Sequence, residues 1–125
     1  MGLVLLDSSV LIAALNPKDV HHQRAINSNT VGNQFIISTI SITELMPRAI
    51  KDGISDPIWS ALTNMVQEVV DLDSALAMSA AEIRAHKGLK TPDAIISATA
   101  KARGAELWTL DAKLAKATPG ARLLA

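Results

Sequence analysis

The chain has 125 residues, of which 49% are hydrophobic, so it is long enough for one domain with a buried core, spanning residues 1–125, and too short for two. Cysteine is absent, which excludes disulfides, thiolate zinc sites and thiol nucleophiles. Twelve basic residues balance twelve acidic ones, so the whole chain lacks the strong positive charge typical of a nucleic-acid-binding domain. The longest apolar run, residues 10–15, is far shorter than the ~20 residues of a membrane span, and we expect a cytoplasmic protein with no membrane partner.

The first half of the chain alternates apolar runs with signals for helix starts. Leu3–Leu6 is a run of four apolar residues, which is typical of a strand buried on both faces in a parallel sheet. The elements predicted after it are a helix capped by Ser8 or Ser9 that runs through Leu15, a helix capped by Asp19 that extends toward Val31, a strand over 35–38, and a helix that a Ser41–Glu44 capping box opens and Pro47 bends.

The second half continues the same alternation. Its predicted elements are a helix capped by Asp56 that runs through Val66, a strand over 69–72, a helix capped by Asp73 that ends near Gly88, a helix capped by Thr91 that ends at Gly104, a strand over 106–109, a helix over 112–117, and a strand over 122–124. Strands that alternate with helices predict an α/β fold with a mostly parallel central sheet of about five short strands flanked by helices.

Helix capping explains Asp19, Asp56 and Asp73, and four further acidic residues follow a predicted strand or open a predicted helix. They are Asp7, Glu44, Asp93 and Asp111. Because the carboxyl ends of parallel strands meet at one edge of the sheet, we expect these four carboxylates to lie together at that edge, which we call the mouth of the site. Three of them also have a structural explanation: Asp7 as a helix cap, Glu44 as the capping-box glutamate, and Asp93 as a favourable partner of a helix dipole.

Four carboxylates at one mouth raise one another's pKa unless a cation offsets their repulsion. Oxygen-only ligands favour a hard ion, and Mg²⁺ fits best, with Mn²⁺ as the other candidate, because it keeps several waters and needs only one or two direct carboxylates. Such an ion can generate hydroxide and stabilise the charge on a phosphate during in-line displacement. The sequence therefore predicts a metal site suited to phosphodiester chemistry.

Four segments around these acids resemble the acidic motifs of PIN-domain nucleases, in order and at familiar separations, and the resemblance extends over nearly the whole chain. The segments are LVLLDSSVLIAAL, FIISTISITELM, KTPDAIISATAKARG and ELWTLDAKL. In its small size and its sequence, the chain is most similar to VapC-type toxins, the ribonuclease halves of toxin–antitoxin pairs. The resemblance implies an α/β/α sandwich, magnesium-dependent cleavage of RNA, a homodimer, and inhibition by a cognate antitoxin.

The resemblance also implies roles for particular residues. Asp7, Glu44, Asp93 and Asp111 match the four motif acids that bind the metal and carry catalysis. Ser9 matches a small polar residue that supports the first acid, and Thr109 matches the hydroxyl two residues before the last acid; local hydrogen bonding at a turn or strand end explains these two equally well. Arg84 resembles a basic residue on the corresponding helix, although a solvated arginine is the safer interpretation.

Two departures from the family pattern affect the prediction. Met46-Pro47-Arg48 stands where a small residue often follows the second acid, which predicts a bent helix and an altered antitoxin groove. Ala112-Lys113-Leu114 supplies neither the further acid nor the aromatic often found after the fourth acid, which puts a second metal ion in doubt.

Two other functions use the same residues. The chain could be a catalytically inactive regulator on this scaffold, which binds an antitoxin-like partner or RNA through the acidic pocket, because a guanidinium group bridges two carboxylates as a metal would. An aspartate-nucleophile phosphatase also has an acid after its first strand, but that chemistry usually needs a second acid two residues on, where this chain has Ser9.

The remaining features concern binding surfaces. Residues 80–125 carry eight basic and four acidic residues, a net charge of +4, and the first 79 residues therefore carry −4. RNA affinity is then expected from the metal and from a local group of lysines, Lys87, Lys90, Lys113 and Lys116. The apolar residues from Trp59 to Val66 form a candidate interface, although part of that face is expected in the core. The histidines, His21, His22 and His86, are interpreted as surface residues because none has an acid partner at metal-ligand spacing.

Overall fold

A computed structural model of the protein describes residues 2–28 and 32–125. Its sheet has five strands: β1 (Leu3–Leu6), β2 (Gln34–Ser38), β3 (Glu68–Val70), β4 (Glu106–Thr109) and β5 (Arg122–Leu123). The strand order is β3-β2-β1-β4-β5, and every neighbouring pair is parallel. The prediction of about five short strands in a mostly parallel sheet is confirmed, and the described sheet is parallel throughout.

Seven helices in the described part of the chain cover the two faces of the sheet. They are α1 (Ser8–Leu15), α2 (His22–Asn27), α3 (Thr39–Lys51), α4 (Ser55–Met65), α5 (Ser74–Lys87), α6 (Thr91–Arg103) and α7 (Ala112–Ala117). None of the helices described in these ranges is long and apolar enough to cross a membrane.

The alternation of side chains along the strands creates two hydrophobic cores, one on each face. Leu5 and Ile36 point to the core formed with α5, α6 and α7, whereas their neighbours in β1 and β2 point to the core formed with α1, α3 and α4. Both faces of β1 are therefore buried, which is why its sequence is apolar without interruption. The result is the three-layer α/β/α sandwich.

Several predicted helix starts are wrong by one to three residues. Ser8 and Ser9 belong to α1, because the cap position is occupied by Asp7, whose side chain makes no capping hydrogen bond. The capping box at 41–44 is also wrong: α3 begins at Thr39, directly after β2, and the Ser38 hydroxyl accepts from the Ile40 amide at 3.2 Å. The chain needs no linker there, because the last residue of the strand is itself a good cap.

The same correction applies to α4 and α6. Asp56 lies in the first turn of α4, after the cap position at Ile54, and Thr91 is the first residue of α6, after the cap position at Lys90. A proline in the first turn favours the start of a helix, but it does not determine which of the preceding residues is the cap. Pro57 is the third residue of α4, and Pro92 is the second residue of α6.

Helix ends and the remaining boundaries follow the sequence signals more closely. Gly88 and Gly104 end α5 and α6 with φ of 65° and 59°, a left-handed conformation that glycine adopts without strain. The Asp73 carboxylate caps α5 by accepting from the Leu76 amide at 2.8 Å, as predicted. The boundaries of two strands in the second half of the chain differ from the prediction. The strand predicted over 69–72 is β3, which runs from Glu68 to Val70, and the strand predicted over 122–124 is β5, which ends at Leu123.

The second helix is shorter than predicted. It begins at His22, and Asp19 instead accepts from the His21 amide at 2.8 Å in the turn before it. The predicted extension toward Val31 lies outside the described residues. Helix α3 continues through Pro47 and runs unbroken from Thr39 to Lys51.

Candidate active site

The four predicted acids lie at the carboxyl edge of the sheet, around the ends of its central strands. Asp7 follows β1, Asp111 follows β4, Glu44 lies in the second turn of the helix after β2, and Asp93 lies in the first turn of α6. The helix after β1 packs on one face of the sheet and the helix after β4 packs on the other. The chain thus parts in opposite directions between β1 and β4, and a crevice forms where open α/β sheets bind ligands.

Two hydroxyl groups hold the Asp7 carboxylate, which is only 6% exposed. Ser9 Oγ and Thr109 Oγ1 each donate to Asp7 Oδ2 at 2.7 Å. The same two hydroxyls accept from the amides of the loop after β4, since Leu110 N lies 3.1 Å from Ser9 Oγ and Asp111 N lies 3.0 Å from Thr109 Oγ1. This chain of bonds fixes one oxygen of Asp7 and joins the β1–α1 turn to the β4–α7 loop.

Glu44 and Asp111 are each held by one oxygen in the same way. Ser8 Oγ donates to Glu44 Oε1 at 2.6 Å, and Asp111 Oδ1 caps α7 by accepting from the Lys113 and Leu114 amides at 2.9 and 3.2 Å. No described residue donates a hydrogen bond to the second oxygen of Asp7, Glu44 or Asp111. Each of these carboxylates therefore keeps one oxygen oriented by the chain and one available to a ligand.

Asp93 is the exception, because no group in the described ranges donates to either of its oxygens. Burial raises the pKa of the Asp93 carboxyl, and the charges of Asp7, Asp111 and Glu44 raise that pKa further, against a lowering effect of Lys90. The structure thus brings the four acids close enough for three of them to act electrostatically on the fourth.

The donor set fits a hard divalent cation. It consists of carboxylate oxygens, and their mutual repulsion at Asp93 is the kind that a cation removes. Within residues 2–28 and 32–125, no three acidic, histidine or cysteine side chains are placed as a ready-made group for one ion. Mg²⁺ does not require such a group, since it commonly takes one or two direct carboxylates and keeps several waters.

Sequence reasoning missed one residue that contacts these acids. Ser8 was expected only as a possible cap, yet its hydroxyl orients Glu44, a residue 36 positions away. The only local signal is a hydroxyl directly after the first acid. Among the histidines, His22 Nδ1 lies 2.7 Å from the Ala13 carbonyl oxygen, on the outer end of α1, away from the acids.

Comparison with known proteins places this fold. The family model described as the PIN domain matches residues 4–118. Among solved structures, a chain of a toxin–antitoxin complex from Klebsiella pneumoniae is 28% identical, with a TM-score of 0.81 and coverage of 98% of both chains.

Two more distant structures share the fold. FitAcB from Neisseria gonorrhoeae is 20% identical, with a TM-score of 0.78 and coverage of 96% of both chains. A VapC toxin from Mycobacterium tuberculosis, described as cleaving the sarcin–ricin loop, is 18% identical, with a TM-score of 0.77 and coverage of 95% of this chain and 98% of that one. No curated protein matches the sequence. The family match spans most of the described elements and all four acids, and the chain belongs to the PIN-domain family.

Proposed function

We propose that the chain is a divalent-metal-dependent endoribonuclease and the toxin of a type II toxin–antitoxin pair. The observation that carries the proposal is the state of the four acids: three have one oxygen fixed by the chain and one unbonded, and Asp93 has a raised pKa with no donor. Such a set is poised to accept a cation and the waters around it. Mg²⁺ is the first choice and Mn²⁺ the second.

The residues divide the work according to their contacts. Asp7, Glu44, Asp93 and Asp111 would hold the ion and its waters through their unbonded oxygens. Ser9 and Thr109 keep the Asp7 carboxylate in one orientation, and Ser8 does the same for Glu44. A bound divalent ion supplies activation of a water as the nucleophile and neutralises the charge that develops on the phosphate. No side chain needs to act as a covalent nucleophile.

The partners proposed with this function are an RNA substrate, a cognate antitoxin and a second copy of the chain. Support for the antitoxin comes from the similar structures described as toxin–antitoxin complexes, including one 28% identical over 98% of this chain. A partly exposed apolar surface near α4 includes Trp59 at 43% exposure and Ile54 at 44%, and it offers area for a protein contact.

The test is cleavage of a mixed RNA pool by the purified protein with Mg²⁺, with Mn²⁺ and with a chelator. Asp7→Asn and Asp93→Asn remove charge while keeping shape, and Asp56→Asn is the matched control, since Asp56 also lies in the first turn of a helix beside a proline. We expect metal-dependent cutting that the first two substitutions abolish and the control retains.

Two outcomes would contradict the proposal. Cutting that persists in chelator, or in both site variants, would place the chemistry elsewhere. A wild-type protein that stays inert with every divalent ion, yet binds a protein or RNA through these acids, would instead be a catalytically inactive regulator on the PIN scaffold.

A further inference from the structure

Four lysines lie in α5, in α7 and in the turn before α6, and we call them the basic rim: Lys87, Lys90, Lys113 and Lys116. Two of its contacts connect separate helices. Lys87 Nζ lies 2.6 Å from the Ala117 carbonyl oxygen at the end of α7, and Lys113 Nζ lies 3.4 Å from the Gly88 carbonyl oxygen in the turn after α5. The end of α5, the turn before α6 and both ends of α7 therefore lie together.

Two lysines of the basic rim lie close to acids of the site. Lys113 is two residues after Asp111 in the first turn of α7, and the charge of Lys90 acts on Asp93 three residues further along the chain. All four lysines are exposed. An ammonium group has three donors, so Lys87 and Lys113 retain charge and donors after their single carbonyl contacts.

The opposite side of the mouth carries the other sign of charge. Asp71 and Asp73 follow β3, the edge strand beyond β2, and the amide of Leu72 between them lies 3.3 Å from Thr39 Oγ1 at the start of α3. The mouth is thus flanked by acids toward β3 and by lysines toward α7. A polyanion meets repulsion on one side and attraction on the other.

We propose that the basic rim binds the phosphate backbone of the RNA and leads it to the acids from the α5–α7 side. This inference rests on the proposed function, because it assigns a path to the same substrate. The proposal also accounts for RNA binding by a chain of zero net charge, because the lysines would attract the RNA backbone close to the acids.

The test is the salt dependence of binding to a short fluorescent single-stranded RNA of mixed sequence. The protein carries Asp93→Asn, and chelator is present, so that cleavage does not interfere. In that background we compare Lys90→Gln/Lys116→Gln with Lys51→Gln/Lys101→Gln. The first pair lies in the basic rim and makes no side-chain hydrogen bond among the described residues; the second pair removes equal charge from the exposed ends of α3 and α6.

Each phosphate neutralised on a single strand contributes about 0.7 to the slope of log K against log salt concentration, so the rim pair should flatten the slope by about 1.4. The control pair should leave the slope unchanged. An unchanged slope in the rim pair, or an equal change in both pairs, would overturn the proposal, because affinity would then ignore the location of the charge.

Cleavage by the wild-type protein with divalent metal separates the two proposals. If RNA is cut but the slope ignores the rim lysines, only the rim assignment fails. If RNA binds with a rim-dependent slope and no divalent ion supports cutting, the ribonuclease proposal fails and the binding surface stands.

Discussion

Asp7 is buried and Asp93 is half-buried at the same edge of the sheet, but the fold surrounds the two carboxylates differently. Two hydroxyls donate to Asp7 at 2.7 Å each, whereas no described group donates to Asp93, and burial with three neighbouring acids raises the Asp93 pKa. A carboxylate that accepts hydrogen bonds keeps its charge at little cost, and one without them destabilises the folded state when ionised. The chain therefore stabilises the charge of Asp7 internally and leaves that of Asp93 to be balanced by a ligand.

The largest expected effect is on catalysis, where the two acids should not differ. Loss of a group that only orients a metal ligand costs about 10–100-fold in activity, so loss of a ligand charge should cost about a hundredfold or more in either variant. Asp7→Asn and Asp93→Asn should therefore both fall to background in a metal-dependent cleavage assay. A variant that keeps a substantial fraction of wild-type cleavage would remove that acid from the site.

The support of Asp7 can be broken without touching an acid. Thr109→Val removes a fully buried hydroxyl that donates to Asp7 Oδ2 and accepts from the Asp111 amide. The free energy of unfolding should fall by about 1–3 kcal/mol, because the amide and the carboxylate each lose a partner, and cleavage should fall about 10–100-fold.

Thr63→Val is the matched control for this substitution. The Thr63 hydroxyl donates to the Ser60 carbonyl oxygen within its own helix and is exposed, so both measurements should stay close to wild type. Equal losses in the two variants, measured by denaturant unfolding and by cleavage rate, would show that the Thr109 hydroxyl has no special role.

Stability in the absence of metal should reveal the unbalanced charge of Asp93. The folded-state pKa of Asp93 lies above its ordinary value of 3.8, so the folded protein binds the proton more tightly than the unfolded chain does. The contribution of Asp93 to the free energy of unfolding then decreases as pH rises from about 3.8 through the raised pKa, and its ionised carboxylate destabilises the fold at neutral pH.

Asp93→Asn should accordingly raise the thermal midpoint at pH 7 in chelator, and this gain should shrink as the pH falls toward 4. Added Mg²⁺ should raise the midpoint of the wild type and not that of the variant, because only a protein that binds the ion gains from it. Asp56→Asn should lower the midpoint slightly, since it only loses a favourable charge at a helix start. A lower thermal midpoint for Asp93→Asn than for the wild type at pH 7 would show that the ionised Asp93 carboxylate does not destabilise the fold.

Much of the fold could be predicted because its signals are local. The uninterrupted apolar run at Leu3–Leu6 fixes a strand buried on both faces, and Gly88 and Gly104 mark helix ends through the backbone conformation they permit. The start of α3 could not be fixed locally, because Ser38 and Ser41 are both acceptable caps. Only the pairing of β2 with β1 and β3, which carries the strand to Ser38, decides between them.

The sequence named the acids and, through the family resemblance, the hydroxyls of Ser9 and Thr109, but it did not name Ser8 as a partner of Glu44. Strand ends place Asp7 and Asp111 at one edge whatever the details of packing. The contact between Ser8 and Glu44 depends on how closely α1 approaches α3, which no local pattern records. For the same reason, whether the acids bind a metal stays a prediction, since it depends on side-chain positions that a ligand would itself adjust.

The smallest expected effect comes from an acid whose charge the chain itself balances. Glu68 begins β3, at the opposite edge of the sheet from the acids, and both its oxygens accept from the Arg103 guanidinium at 2.6 and 2.7 Å. That pair lowers the pKa of Glu68, the reverse of the shift at Asp93. Its contribution to stability is present above pH 4.5 and is lost as the pH falls through the lowered pKa.

Glu68→Gln should therefore lower the thermal midpoint slightly at pH 7, and the difference from wild type should vanish in acid. The effect should be small because the pair is exposed and solvent screens it, and high salt should reduce it further. Cleavage should not change, since Glu68 lies away from the mouth. If Glu68→Gln instead raised the thermal midpoint at pH 7, as expected for Asp93→Asn, the guanidinium would not balance the Glu68 carboxylate. Glu68 would then no longer be an example of an acid whose charge the chain itself balances.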